Sequence, residues 1–161
     1  MAEWTEPKRV YVLVCGERLR GDDAAAVLAA EILPADALAL AEIVEVGLLS
    51  VEALLDVPEG VAVIVADTAI GIAAGEVVVL PLASVARSTG SGAALASSHS
   101  LPPDQVLALA EALRGPLPRG SFVGIGGADF GFGEQLSAPV AAGLPAFVVA
   151  LADEIRRLAA D

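Results

Sequence analysis

The chain has 161 residues, 56% of them apolar, and a formal net charge of −12 with one histidine and one cysteine. That length and apolar content suit one domain with a sizeable core. An acidic chain whose only lysine is Lys8, with scattered arginines, lacks the basic stripe of a nucleic-acid binder, and one cysteine cannot close an internal disulfide, which fits a reducing cytoplasm.

The first seven residues, Met1 to Pro7, read as a frayed end. They carry Glu3 and Glu6, and Lys8 and Arg9 follow before any apolar run, so no signal peptide is expected. Arg9 to Cys15 is β-branched and apolar, the pattern of a buried strand. Gly16 breaks it, Gly21 ends a short loop, and Asp22 and Asp23 open a helix that runs to Leu33, stopped by Pro34. Two acids in a first helical turn meet unpaired N–H groups and the positive end of the dipole.

Ala41 to Val46 reads as a second strand, and Ser50 as the cap of a short helix through Leu55. Val61 to Ala66 is apolar on both faces, hence central, and ends at Asp67-Thr68. Glu76 to Leu80 is a strand expected to return beside its predecessor, stopped by Pro81. Ser84 to Ser100 is rich in Ser, Gly and Ala and reads as a long irregular connection with His99 at its end. A helix through about Leu113 follows Leu101-Pro-Pro-Asp104, then a last strand, Ser121 to Ile125, and a glycine-rich loop, Gly126 to Gly133.

Ser137 is expected to cap a final helix, with Pro139 in its first turn and a kink near Gly143-Leu-Pro145. The longest uncharged apolar stretch, Leu136 to Ala152, is shorter than the roughly 20 residues of a membrane span and reads as a core helix. Its apolar positions Val140, Leu144, Phe147, Val148, Leu151 and Ile155 follow helical spacing. Strands alternating with helices argue a three-layer α/β domain spanning residues 1–161.

Three side chains fall in loops after strand ends, where open α/β sheets bind ligands: Asp23, Asp67 and His99. Two carboxylates and an imidazole suit a divalent transition metal. Singly, each has a plainer reading, as a helix-terminus acid, a turn cap and a solvated loop histidine. Cys15 with His99 is a conceivable thiol–base pair, but a cysteine ending an apolar strand is more often a small buried hydrophobe. Asp129-Phe-Gly131 copies a kinase metal motif without any of its partners, and the first loop lacks the G-x-G-x-x-G spacing of a dinucleotide site.

Taken together and in order, Gly16-Glu-Arg-Leu-Arg-Gly-Asp-Asp23, Val65-Ala-Asp-Thr68, Ser97-Ser-His-Ser100, Gly124-Ile125, Asp129-Phe-Gly-Phe-Gly133 and Leu136-Ser137 resemble the hydrogenase maturation endopeptidases over about Arg9 to Leu158. The resemblance implies an α/β/α sandwich on a mixed, mostly parallel five-stranded twisted sheet. It implies an endopeptidase that clips the C-terminal tail from the nickel-loaded large-subunit precursor of a nickel–iron hydrogenase. Asp23, Asp67 and His99 would bind the metal, nickel carried by the substrate, for which zinc or cadmium can substitute. The expected partner is that precursor, with no nucleic acid and no membrane, and the expected state is a cytoplasmic monomer or weak homodimer.

Two positions depart from the family pattern. Glu17 stands where the family has Asn, and Ala24 where it has Gly. An ionised carboxylate only accepts hydrogen bonds, so Glu17 adds charge beside Asp23 and joins Asp23, Asp67 and His99 as a candidate catalytic residue. The departures keep open a divergent, inactive metal-dependent binding or chaperone protein of the same fold. A generic small α/β domain without metal is the third reading.

Overall fold

The computed structural model describes residues 7–88 and 101–161. Its five strands are β1 (Val10–Cys15), β2 (Ala41–Gly47), β3 (Ala62–Ala69), β4 (Val77–Pro81) and β5 (Gly120–Gly126), in the order β2-β1-β3-β5-β4. All neighbours are parallel except β4, which runs antiparallel to β5. Every residue of β3 is buried, as expected of a central strand with apolar side chains on both faces.

Side-chain alternation along the strands divides the core in two. Val10, Val12, Val14, Ile64, Ala66, Val123 and Ile125 face α1 (Ala25–Glu31), α2 (Ala35–Leu40) and α6 (Ala138–Ala160). Leu13, Cys15, Val63, Val65 and Phe122 face α3 (Val51–Leu55), α4 (Leu82–Arg87) and α5 (Pro103–Arg114). This is the α/β/α sandwich expected from the sequence. α6 is long and apolar enough to cross a bilayer by length and composition. Here it lies on the sheet through Val140, Phe147, Leu151 and Ile155, with Leu144 and Val148 packed at the margin.

Four local expectations are corrected. β4 does not return beside β3, because β5 takes that place and β4 is the edge strand. Ser121 to Ile125 is buried throughout, whereas β4 leaves Val79 exposed and ends in Pro81, which has no N–H to give a second neighbour. The first helix is split: a 3-10 turn, Gly21–Ala24, precedes α1, and Pro34 serves as the N-cap of the separate α2. α4 occupies the start of the stretch read as irregular. α6 runs unbroken past Pro145, and Gly143 marks a close approach rather than a kink, since a Cβ there would lie 2.3 Å from the Gly75 carbonyl oxygen.

The connections fix where a site can form. The chain leaves β1 over the α1–α2 face to reach β2, then crosses the opposite face through α3 to reach β3 on the other side of β1. β1 and β3 therefore flank a topological switch point, and the crevice beyond their C-terminal ends is where open α/β sheets place ligands.

Candidate active site at the C-terminal end of the sheet

Cys15 ends β1 on the α3–α5 face. The parallel register pairs Val14 with Ala66, so Asp67 is the next residue along β3, and alternation sets it on the same face as Cys15. Asp67 is paired in register with Gly124 of β5. Asp67 thus lies within β3 rather than in the loop after it, and is 2% exposed. Its Oδ1 accepts the Thr68 N–H at 2.8 Å.

Asp23 arrives from the 3-10 turn and is wholly buried. Gly16 makes this possible. It has φ +120°, and a Cβ there would sit 1.9 Å from the Asp23 carbonyl oxygen, so only glycine lets the loop fold back over the acid. The Glu17 N–H donates to Asp23 Oδ2 at 2.9 Å.

The electrostatics of this pocket are set by burial and by two acids lying close together. Burial pushes the Asp67 carboxyl up to about 8; the Thr68 N–H opposes the rise and the Asp23 charge adds to it. The Cys15 thiol is raised well above its ordinary value, first by burial and then by Asp67 and Asp23, against a backbone hydrogen bond from Leu49. A thiol so placed is a poor nucleophile, and the Cys15–His99 reading loses its support on the cysteine side.

One residue away the situation is reversed. Asp22 is also wholly buried, but its carboxylate accepts the N–H groups of Ala128 and Asp129 at 2.8 Å each and of Ser137 at 2.7 Å, and the Ser137 hydroxyl at 2.8 Å. Burial would raise its pKa, but these donors outweigh it and hold the group below the usual carboxylate value. Its backbone is engaged too: Asp22 N–H donates to the Asp129 carbonyl at 2.8 Å, and Thr68 Oγ1 donates to the Asp22 carbonyl at 2.7 Å. Ser137 holds the N-cap position of α6, as expected, but its side chain serves Asp22 instead of capping the helix.

Of the four residues singled out in the sequence, Asp23 and Asp67 come together. Glu17 borders them, but its side chain is exposed, with Oε1 3.8 Å from where a Cβ on Gly47 would begin, and only its backbone reaches Asp23. His99 lies outside the described residues. Among the described residues no three His, Cys, Asp or Glu side chains form a metal-sized group. Sequence reading missed the structural office of Asp22 and its partners Thr68 and Ser137; Ser137 lies 115 positions away, beyond any local signal.

No protein-family model matches the chain, and no curated protein matches it in sequence. Solved structures do. The NiFe hydrogenase maturation protease HybD from Thermococcus kodakarensis is 25% identical, with 88% of this chain and 95% of that chain covered and a TM-score of 0.69. The hydrogenase maturating endopeptidase HybD from E. coli is 22% identical, covering 92% and 93%, with a TM-score of 0.70. The endopeptidase HycI from Escherichia coli is 18% identical over 89% of each chain, with a TM-score of 0.63. Over nearly its whole length, this chain is similar in fold to the hydrogenase maturation proteases.

Proposed function

We propose that this chain is a hydrogenase maturation protease: a peptidase that removes the C-terminal tail of a nickel-loaded hydrogenase large-subunit precursor. The observation that carries the reading is the pair of buried carboxylates, Asp23 and Asp67, at the switch point of a fold shared with HybD. A buried acid held protonated near neutrality by its burial, with its neighbour's charge adding to the effect, gains most from a cation, which replaces the proton and offsets both charges. Oxygen donors joined by the His99 imidazole suit nickel borne by the substrate, and zinc or cadmium would bind the same set. On this reading Asp23, Asp67 and His99 recognise the loaded metal and thereby place the scissile amide, and the protein works in the cytoplasm as a monomer or weak homodimer.

Glu17 is the residue on which catalysis can be separated from binding. The hydrogen bond to Asp23 comes from its backbone and survives any side chain at that position. The exposed carboxylate is available to orient water, help that is typically worth about 10²–10⁴ in rate.

The test is precursor processing followed by intact mass, with wild type, Asp23→Asn, Asp67→Asn, His99→Ala, Glu17→Ala and Glu17→Asn under one nickel condition. The expected result is a mass loss equal to the tail with wild type, and none with the first three variants. Glu17→Ala abolishing cleavage and Glu17→Asn restoring part of it would make the side chain catalytic. Wild type that binds the loaded precursor without cutting it would replace the protease with a metal-dependent binding protein.

A further inference from the structure

Each parallel strand of the sheet is followed, at its C-terminal end, by an exposed large apolar side chain: Leu19 after β1 at 47%, Leu48 after β2 at 45%, Ile70 after β3 at 41% and Phe132 after β5 at 93%. Single exposed apolar residues are ordinary, but four at the rim of one buried acid pair form a pattern. Phe132 is the most exposed large hydrophobic residue among those described.

The loop that carries Phe132 is held in place. Gly133 N–H donates to the Leu19 carbonyl at 2.8 Å and Gly21 N–H to the Gly133 carbonyl at 2.9 Å; Gly131 N–H donates to Asp129 Oδ1 at 2.8 Å, and Asp22 grips Ala128 and Asp129 as described above. The two phenylalanines of this loop take opposite roles. Phe130 folds back so that a Cβ on Gly127 would meet its ring at 2.5 Å, while Phe132, two residues on, is turned outward. An aromatic ring fixed by its backbone and left uncovered loses little further freedom on binding, which is the property of an interface anchor.

The rim is also acidic. Glu17, Asp129 and Glu134 are exposed there along with Arg20, while Arg18 is engaged with Glu31 and Glu45. With a net charge of −12 on each copy, self-association through this face would set like charges against each other, whereas a segment bearing a cation complements it.

We propose that the rim formed by Leu19, Leu48, Ile70 and Phe132 docks an extended segment of the polypeptide processed at the Asp23–Asp67 site, an apolar side chain packing on Phe132 and a basic one meeting Glu17, Asp129 and Glu134. The inference rests on the protease reading and adds a specificity surface to it. Leu19 and Phe132 form its centre, because the Leu19–Gly133 hydrogen bond sets their backbones side by side.

The probe is the nickel-loaded large-subunit precursor, with processing rates measured as a function of its concentration for full-length wild type, Phe132→Ala, Phe132→Leu and Leu19→Ala. Phe132→Ala should raise KM about tenfold with kcat within about twofold, Leu19→Ala should raise it by a smaller factor, and Phe132→Leu should recover most of the loss. Unfolding midpoints equal to wild type would exclude damage to the loop as the cause. If wild type cleaves the precursor and both alanine variants match it, the docking surface is overturned and the protease reading stands. If wild type neither binds nor cleaves it, both fall. A concentration-dependent dimer of wild type that Phe132→Ala dissolves, with KM unchanged, would assign the rim to a second copy and overturn the proposal.

Discussion

Asp22 and Asp23 are adjacent, identical in type and equally buried, yet the regions around them do opposite things. The Asp22 carboxylate meets four donors, and these hydrogen bonds tie the first loop to the glycine-rich loop and to the start of α6. Around Asp23 the neighbours on the next strands are Asp67 and Cys15, and the field of one acid makes the other harder to ionise. The first region stabilises the fold by satisfying a charge. The second sets two buried acids side by side with one carboxyl pushed up, an arrangement stable proteins keep at sites that bind something.

The comparison breaks most sharply at Asp22. Asp22→Ala leaves three backbone N–H groups and a hydroxyl, all part-buried, without their acceptor and should cost about 3–5 kcal/mol, enough to unfold a marginal domain; urea denaturation at pH 7 measures it. Because the folded pKa of Asp22 lies below its unfolded value, its contribution is present above the unfolded value and is lost as pH falls through the folded one.

Asp67 should behave with the opposite sign. Its folded pKa, about 8, exceeds the unfolded value, so between about pH 4 and pH 8 the unfolded chain is ionised while the native group keeps its proton, and stability falls as pH rises. Asp67→Asn keeps an acceptor for the Thr68 N–H and removes the titration. It should stabilise the metal-free protein clearly at pH 8 and by almost nothing at pH 4. Nickel added to wild type should raise the unfolding midpoint more at pH 8 than at pH 5, since at pH 5 it must displace the Asp67 proton and compete for His99. A stability profile of Asp67→Asn parallel to wild type across this range would remove the contrast between the two regions.

Smaller effects sharpen the picture. Cys15→Ala removes one buried sulfur and should cost about 1 kcal/mol, while the wild-type thiol should resist aromatic disulfide reagents at pH 8 until the protein unfolds. Glu17→Ala should change stability by less than about 0.5 kcal/mol, because the bond to Asp23 is donated by the backbone and the side chain is exposed. A large loss there would show that the Glu17 carboxylate takes part in holding the loop.

The sequence by itself determined what is periodic or punctuated locally. The run from Val61 to Ala66 is apolar on both faces and could only be central; the spacing of Val140, Phe147, Leu151 and Ile155 gave α6 its buried face; Ser50 caps α3 as its position predicts, accepting the Ala53 N–H at 3.1 Å. The acids after β1 and near the end of β3 were legible as candidates because each follows an apolar run that periodicity had already marked as a strand. Only the tertiary structure decided which strand lies inside the sheet, since β4 and β5 are both short and apolar and their places follow from how each edge is satisfied. It also separated the fates of Asp22 and Asp23. Side-chain type and helix position are the same for both, and the donors that hold the Asp22 carboxylate come from a loop and helix more than a hundred residues away, brought there by the sheet.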